Sequence, residues 1–332
     1  MPNVPKPRLR RWTRTRGDVV ATPPPPETPN VETIEAEGLR WINIERPRPI
    51  DRTWLEEHFE FHPLDYEDVI SRNQRPKIDE YDDYLFIVLH FARYDKRVAR
   101  LNAAEVDIFV GPDFLITLPN EALAPLQYVF DRCRTSEDVR EDMFNKGAGY
   151  LLYKVVDACV DASFPMLRKM GNKLERLEED IFEGRSEEIV RDLSNAKQEI
   201  INFRKIVRPQ RTVLRDLEKT KQKYFSETLD VYFDDIVDAS ERVWDMLENY
   251  KEVIEGLEDT NESVISHRVN DTVRVLTAIS VVVLPLTLIA SIWGMNVHVP
   301  GEGDLGAFFA IIGAMLVLLV GMLAFFRWRK FL

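Results

Sequence analysis

An uncharged stretch near the end of the chain constrains everything that precedes it. Between Val275 and Met295, inside NDTVRVLTAISVVVLPLTLIASIWGMN (270–296), no side chain carries a charge. At about 1.5 Å per residue such a run spans the roughly 30 Å of hydrocarbon in a bilayer. A second charge-free span, Leu305 to Phe326, follows the short loop NVHVPGEGD (296–304). Steps of three and four along the first span pick out Asn270, Val273, Thr277, Ser280, Leu284, Thr287, Ser291 and Gly294, a weakly polar stripe on an aliphatic cylinder. Lipid gains nothing from hydroxyls, so one use of the stripe is to meet water or other helices. The other is plain back-bonding of Ser and Thr to carbonyls one turn earlier. Pro285 cannot donate to the carbonyl of Val281, which predicts a kink or a local water contact there.

The rest of the chain is of a different character. With 332 residues and 30% charged side chains, it is no protein built mainly of membrane helices, and a large water-exposed domain on a C-terminal hairpin is expected. A net charge of -12 argues against nucleic acid as a partner and suits a surface that gathers cations. Cys133 and Cys159 stand far apart without CxxC spacing, so they read as core thiols in a reducing compartment. No GxxxxGK[ST] or GxGxxG loop is present, which leaves no nucleotide site, and no catalytic triad or metal-ligand spacing marks an enzyme.

Residues 1–30 combine Lys6, Arg8, Arg10, Arg11, Arg14 and Arg16 with Pro23 to Pro26, a disordered basic arm and polyproline spacer without the apolar core of a secretory signal. From 31 to 165 an α/β domain is expected, with strands at 39–44, 84–94, 105–110 and 114–118, a capped helix at 53–61, and a helical period from about Ala122. Residues 166–230 read as a helical hairpin whose second arm, Ile189 to Leu214, contains Pro209 or is cut short by it. The acidic run Glu175, Glu178, Glu179, Asp180 fits a solvated face. From 231 to 295 apolar positions recur into the membrane stretch without proline before Pro285, so a stalk helix continues as the first membrane helix; 305–326 is the second and 327–332 a basic tail. Arg268 and Arg274 precede the first membrane helix and Arg327, Arg329 and Lys330 follow the second, which places both termini on the cytoplasmic side of the cell membrane.

The tripeptide Gly294-Met295-Asn296 closes the first membrane helix. Upstream, in order, stand Phe61-His62-Pro63-Leu64 with Glu67-Asp68, Gln74-Arg75-Pro76-Lys77, Tyr84-Leu85-Phe86-Ile87-Val88-Leu89 and Leu284-Pro285-Leu286-Thr287. In this order the chain resembles the CorA-type divalent cation channels over most of its length. The resemblance implies an α+β cytosolic domain, a long stalk helix and two C-terminal membrane helices, assembled as a homopentameric funnel. It implies Mg²⁺ as the transported and regulatory ion, with Co²⁺ or Ni²⁺ as further substrates. Gly294, Met295 and Asn296 would form the selectivity filter; Asn270, Val273, Leu276, Thr277, Ser280, Leu284, Thr287 and Ser291 would line the pore. Asp68 with Asp259, and Glu67 with Asp235, would hold regulatory metal between subunits.

Taken from the residues alone, these four acids are ordinary solvated carboxylates, and Gly-Met-Asn is a helix end with an apolar filler. The loop also departs from the family. Val297-His298-Val299-Pro300-Gly301-Glu302 stands where an aromatic, a glutamate and Met-Pro-Glu are common. His298 suits zinc, cobalt or nickel better than magnesium, which keeps a ZntB-like zinc transporter open. A membrane-anchored scaffold or sensor that conducts nothing is the reading from another class.

Overall fold

The computed structural model describes residues 28–71, 74–95, 100–183, 186–220, 225, 227–296, 298, 300–301 and 305–329. The basic arm up to residue 27, Glu302 and Asp304 of the loop, and the last three residues of the basic tail lie outside the described residues.

Six strands form one sheet in the order β1-β2-β6-β5-β4-β3, built from β1 (Glu32–Ala36), β2 (Leu39–Asn43), β3 (Lys77–Glu80), β4 (Leu85–Asp95), β5 (Arg100–Val110) and β6 (Phe114–Pro119). Only β2 and β6 run parallel. Glu37 and Gly38, both at positive φ, close the β1–β2 hairpin, the geometry that matches strand twist in a two-residue turn. Alternation along the strands sends side chains to two cores. On one face Phe86, Val88, Phe109 and Ile116 pack under α1 (Pro49–His58) and α2 (Pro63–Ile70) through Leu55, Tyr66 and Val69, with Phe61 of the connection between the helices. On the other, Trp41, Ile87, Val106 and Ile108 meet Phe130, Leu151 and Val155 of α3 (Ala124–Thr135) and α5 (Ala148–Asp161), with α4 (Glu137–Phe144) between these helices in sequence.

The helix expected at 53–61 lies at Pro49–His58, and the FHPL stretch opens a separate helix, α2. Proline in the first turn of each sets these starts, because its missing N–H has no partner to lose there. Strands β1 and β3 were not expected: ETIEA and KIDE lack an apolar alternation because they are the two edges of the sheet, where charge blunts further pairing.

A third core joins α6 (Ser163–Glu183), α7 (Ser186–Thr220) and α8 (Asp230–Trp293) through Leu167, Leu174, Phe203, Leu247 and Ile254. Pro209 sits inside α7 without ending it, flanked by the buried Phe203, Ile206 and Val213. Tertiary packing of that apolar face outweighs the lost backbone bond. Charged rungs align α7 antiparallel to α8: Lys197 with Glu258 at 2.6 Å, Arg204 with Glu248 at 2.5 Å, and Arg211 with Glu241. The Trp244 ring lies between the Arg204 and Arg211 guanidinium groups, 5.2 and 4.7 Å from its centroid. Helix α8 has 64 residues and so reaches about 96 Å. It turns back into α9 (Leu305–Trp328).

Asp107 on β5 is 2% exposed, and its Oδ1 has no hydrogen-bond partner among the described residues. Burial, then Glu105 and Asp68 nearby, hold its carboxyl well above the usual range. An acid whose pKa is higher in the fold than in the unfolded chain loses stability as pH rises from the unfolded value through the folded one. We therefore expect Asp107→Asn to match the parent near pH 4 and to gain on it by about 1–3 kcal/mol towards neutral pH, read as a rising difference in Tm across a pH series. A difference that shrinks with rising pH would contradict this.

Candidate ion path and acidic sites

Helices α8 and α9 are each long and apolar enough to cross a membrane. Their apolar stretches are not the core of a soluble protein, since no residue of α9 is buried and only 11% of the apolar window of α8 is. In the lower half of α8, Ala278 and Val282 are buried and Pro285, Leu286 and Ile289 half-buried, which defines the side packed on α9. At about 100° per residue the centre of the stripe lies roughly 180° from that side. Asn270, Val273, Leu276, Thr277, Ser280, Leu284, Thr287 and Ser291 are all exposed in the single chain. The weakly polar face thus turns away from the one helix that accompanies α8 through the apolar zone.

The hydroxyls on this face are oriented. Thr277 donates to the Val273 carbonyl at 2.7 Å, Ser280 to Leu276 at 2.9 Å and Thr287 to Val283 at 2.9 Å. Back-bonding and facing an aqueous space are compatible, and together they fix a polarity. With each hydrogen committed to its own helix, the hydroxyl offers only acceptor lone pairs outward.

At the end of α8 the Gly294 N–H donates to the Ala290 carbonyl at 2.9 Å, and Gly294 keeps φ -88° and ψ -2°. This backbone suits any residue, so the glycine is not needed for a left-handed turn. The constraint is a close approach: a Cβ here would lie 3.0 Å from the Ala290 carbonyl oxygen. Met295 and Asn296 follow, both exposed, and the Trp293 indole N–H reaches the Pro300 carbonyl at 3.5 Å across the loop. His298 is exposed.

The four acids named from the sequence do not meet within one chain. Glu67, Asp235 and Asp259 are exposed, on α2 and on two separate turns of α8. Asp68 is half-buried and bonded by the Lys77 ammonium at 2.7 Å. Lys77 also pairs with Asp79, and the carboxylate oxygens of Asp65, Asp68 and Asp79 lie within 4.8 Å of one another. Asp65 accepts from the hydroxyls of Tyr81 at 3.0 Å and Tyr84 at 2.8 Å; burial nonetheless lifts its pKa above the usual carboxylate range. These partners of Asp68 were not named from the sequence. Alternation along β3 puts Lys77 and Asp79 on one face, but only the sheet register sets that face under α2.

The description "CorA-like Mg2+ transporter protein" belongs to the family whose sequence model matches residues 36–329. Among curated proteins, the chain is 30% identical over 314 residues to the cobalt/magnesium transport protein CorA of Thermotoga maritima, covering 92% of this chain and 88% of that one. It is 19% identical to the zinc transport protein ZntB of Yersinia enterocolitica, over 90% of this chain and 89% of that one. Among solved structures, the CorA magnesium transporter of Methanocaldococcus jannaschii superposes with a TM-score of 0.76 at 19% identity, covering 89% of this chain and 92% of that one. A match this extensive, over a fold with the same long stalk and two apolar C-terminal helices, means that the chain belongs to the CorA-like Mg²⁺ transporter family and is a divalent-cation transporter, not an enzyme.

Proposed function

We propose that this protein is a Mg²⁺ channel of the cell membrane, also open to Co²⁺ and Ni²⁺, in which five copies turn the α8 stripe toward a shared axis. The observation that supports this reading is that the stripe and the side packed on α9 face opposite ways, as expected if other copies cover the stripe and α9 lies outside, against lipid. Arg268, Arg274, Arg327 and Arg329 support a cytoplasmic N-terminal domain and C-terminus, with the Gly-Met-Asn loop outside.

The chemistry follows from how the ion carries its water. Mg²⁺ dehydrates reluctantly, and its bound waters point their hydrogens outward. Rings of acceptors therefore suit the hydrated ion: the Asn296 amide oxygens at the mouth, then Ser291, Thr287, Ser280 and Thr277, with Asn270 at the inner end. Neutral oxygens hold the ion weakly enough to release it. Leu284, Leu276 and Val273 supply apolar rings that exclude water when the helices close up. Moving two charges through 100 mV is worth about 4.6 kcal/mol, so the membrane potential concentrates the ion without ATP.

Between subunits, Asp68 would face Asp259 and Glu67 would lie near Asp235. Facing carboxylates repel until a divalent ion bridges them, so occupied sites hold the ring shut and loss of cytosolic Mg²⁺ loosens it. The exposed His298 favours a second reading, zinc transport, and uptake compared among Mg²⁺, Co²⁺, Ni²⁺ and Zn²⁺ separates the two.

Asn296→Ala should reduce Mg²⁺ uptake into reconstituted vesicles at least tenfold while the oligomer persists. Uptake at the parent rate would remove Asn296 from the filter, and uptake by the parent oligomer no faster than into protein-free vesicles would count against the channel. Asp259→Lys, which supplies the bridging charge covalently, should weaken the response of the current to cytosolic Mg²⁺. An unchanged inhibition curve would overturn the regulatory assignment.

A further inference from the structure

Lys77 opens β3 on the sheet face covered by α2, and its ammonium reaches two acids at once. It donates to Asp68 Oδ2 at 2.7 Å and to Asp79 as well. The side chains of Asp68, Lys77 and Asp79 are 18%, 33% and 36% exposed, so the contact is only partly screened by solvent. Asp65, the third acid of the group, is hydrogen-bonded by the two tyrosine hydroxyls and feels the lysine only through space. The ammonium thus stands where a cation drawn to Asp68 and Asp79 would stand.

An ammonium and a divalent ion cannot share one carboxylate oxygen without repelling each other and straining the geometry of both. We propose that Lys77 is a tethered competitor for the regulatory ion. In the ion-free subunit it clamps Asp68; when the ion binds, it withdraws onto Asp79. The lysine therefore sets how much cytosolic Mg²⁺ is needed to close the channel. Asp79 is the acceptor that makes the exchange reversible, because the ammonium leaves Asp68 without being stranded in a half-buried place. The clamp rests on the reading of Asp68 and Asp259 as the regulatory pair, and it adds a determinant of affinity that touches neither the pore nor the neighbouring subunit's acid.

The test is a Mg²⁺ titration of the purified full-length oligomer, read as protection from limited proteolysis and as inhibition of vesicle currents. Lys77→Met and Lys77→Gln should lower the half-effective Mg²⁺ concentration about tenfold, a change equal to 1.4 kcal/mol. Lys77→Arg, with charge and reach retained, should stay near the parent value. Asp79→Asn leaves the ammonium without its second acceptor and should raise the concentration needed. The shift in Lys77→Met should persist in about 0.5 M KCl, where a merely distant charge effect is screened away. If Lys77→Met and Lys77→Gln titrate like the parent while Asp68→Asn and Asp259→Asn abolish the response, the clamp is wrong and the site stands. If Asp68→Asn and Asp259→Asn both keep the parent response, the regulatory reading itself fails. Loss of the Lys77→Met shift in high salt would overturn direct competition.

Discussion

The structure depends on apolar surface that a single chain cannot cover. Along α8 below Val269 and along all of α9, large side chains such as Leu276, Leu284, Leu288, Phe309 and Val317 are more than half exposed. At about 25 cal/mol per Å² of apolar surface, leaving them in water is untenable. Lipid covers aliphatic groups well and hydroxyls poorly, so a helix with one weakly polar face sorts its sides between the two environments. Against that background the back-bonded hydroxyls of Thr277, Ser280 and Thr287 matter for what they no longer offer, which is a donor. What the face keeps is acceptor oxygens, which the proposed passage of a hydrated cation would use.

The N-terminal domain handles its excess of acid by a different device. Where carboxylates crowd, a cation of the same chain is built in: Lys77 between Asp68 and Asp79, Arg211 and Arg215 on Glu241, and Lys197 on Glu258. Such pairs lock α7 to α8 and α2 to the sheet edge, so the stalk and the acid-bearing helix α2 share one framework. Asp107 is the exception, buried beside Glu105 and Asp68 with one oxygen unpartnered. Its burial disfavours the charged form, so near Asp68 one acid is answered by an ammonium and another by holding its proton.

Much of this was legible in the sequence where a pattern had one physical meaning. The charge-free runs gave α9 and the lower half of α8, and the apolar recurrence above Asn270 gave a stalk continuous with the span, as observed from Asp230 to Trp293. The central strands β4, β5 and β6 were readable as apolar runs separated by turns, since each is buried on both faces. The edges were not, because KIDE and ETIEA are strands only by virtue of their neighbours. The stripe positions were readable from helical spacing, whereas the direction they face needed the position of α9. Gly294 was readable as a helix end, but the reason for a glycine there, the close approach of the Ala290 carbonyl, needed the structure. The Lys77 bridge depends on sheet register, which no local pattern encodes.

The most direct test of the central claim is the reaction of single cysteines in α8 with a charged, water-soluble thiol reagent in the assembled, Mg²⁺-free protein. Ser280→Cys, Thr287→Cys and Ser291→Cys should be modified and lose ion flux, while Val282→Cys, on the side packed on α9, should remain unmodified. Modification of the Val282 position with the stripe positions inert would mean that α8 presents the opposite face to water, and the account would fail.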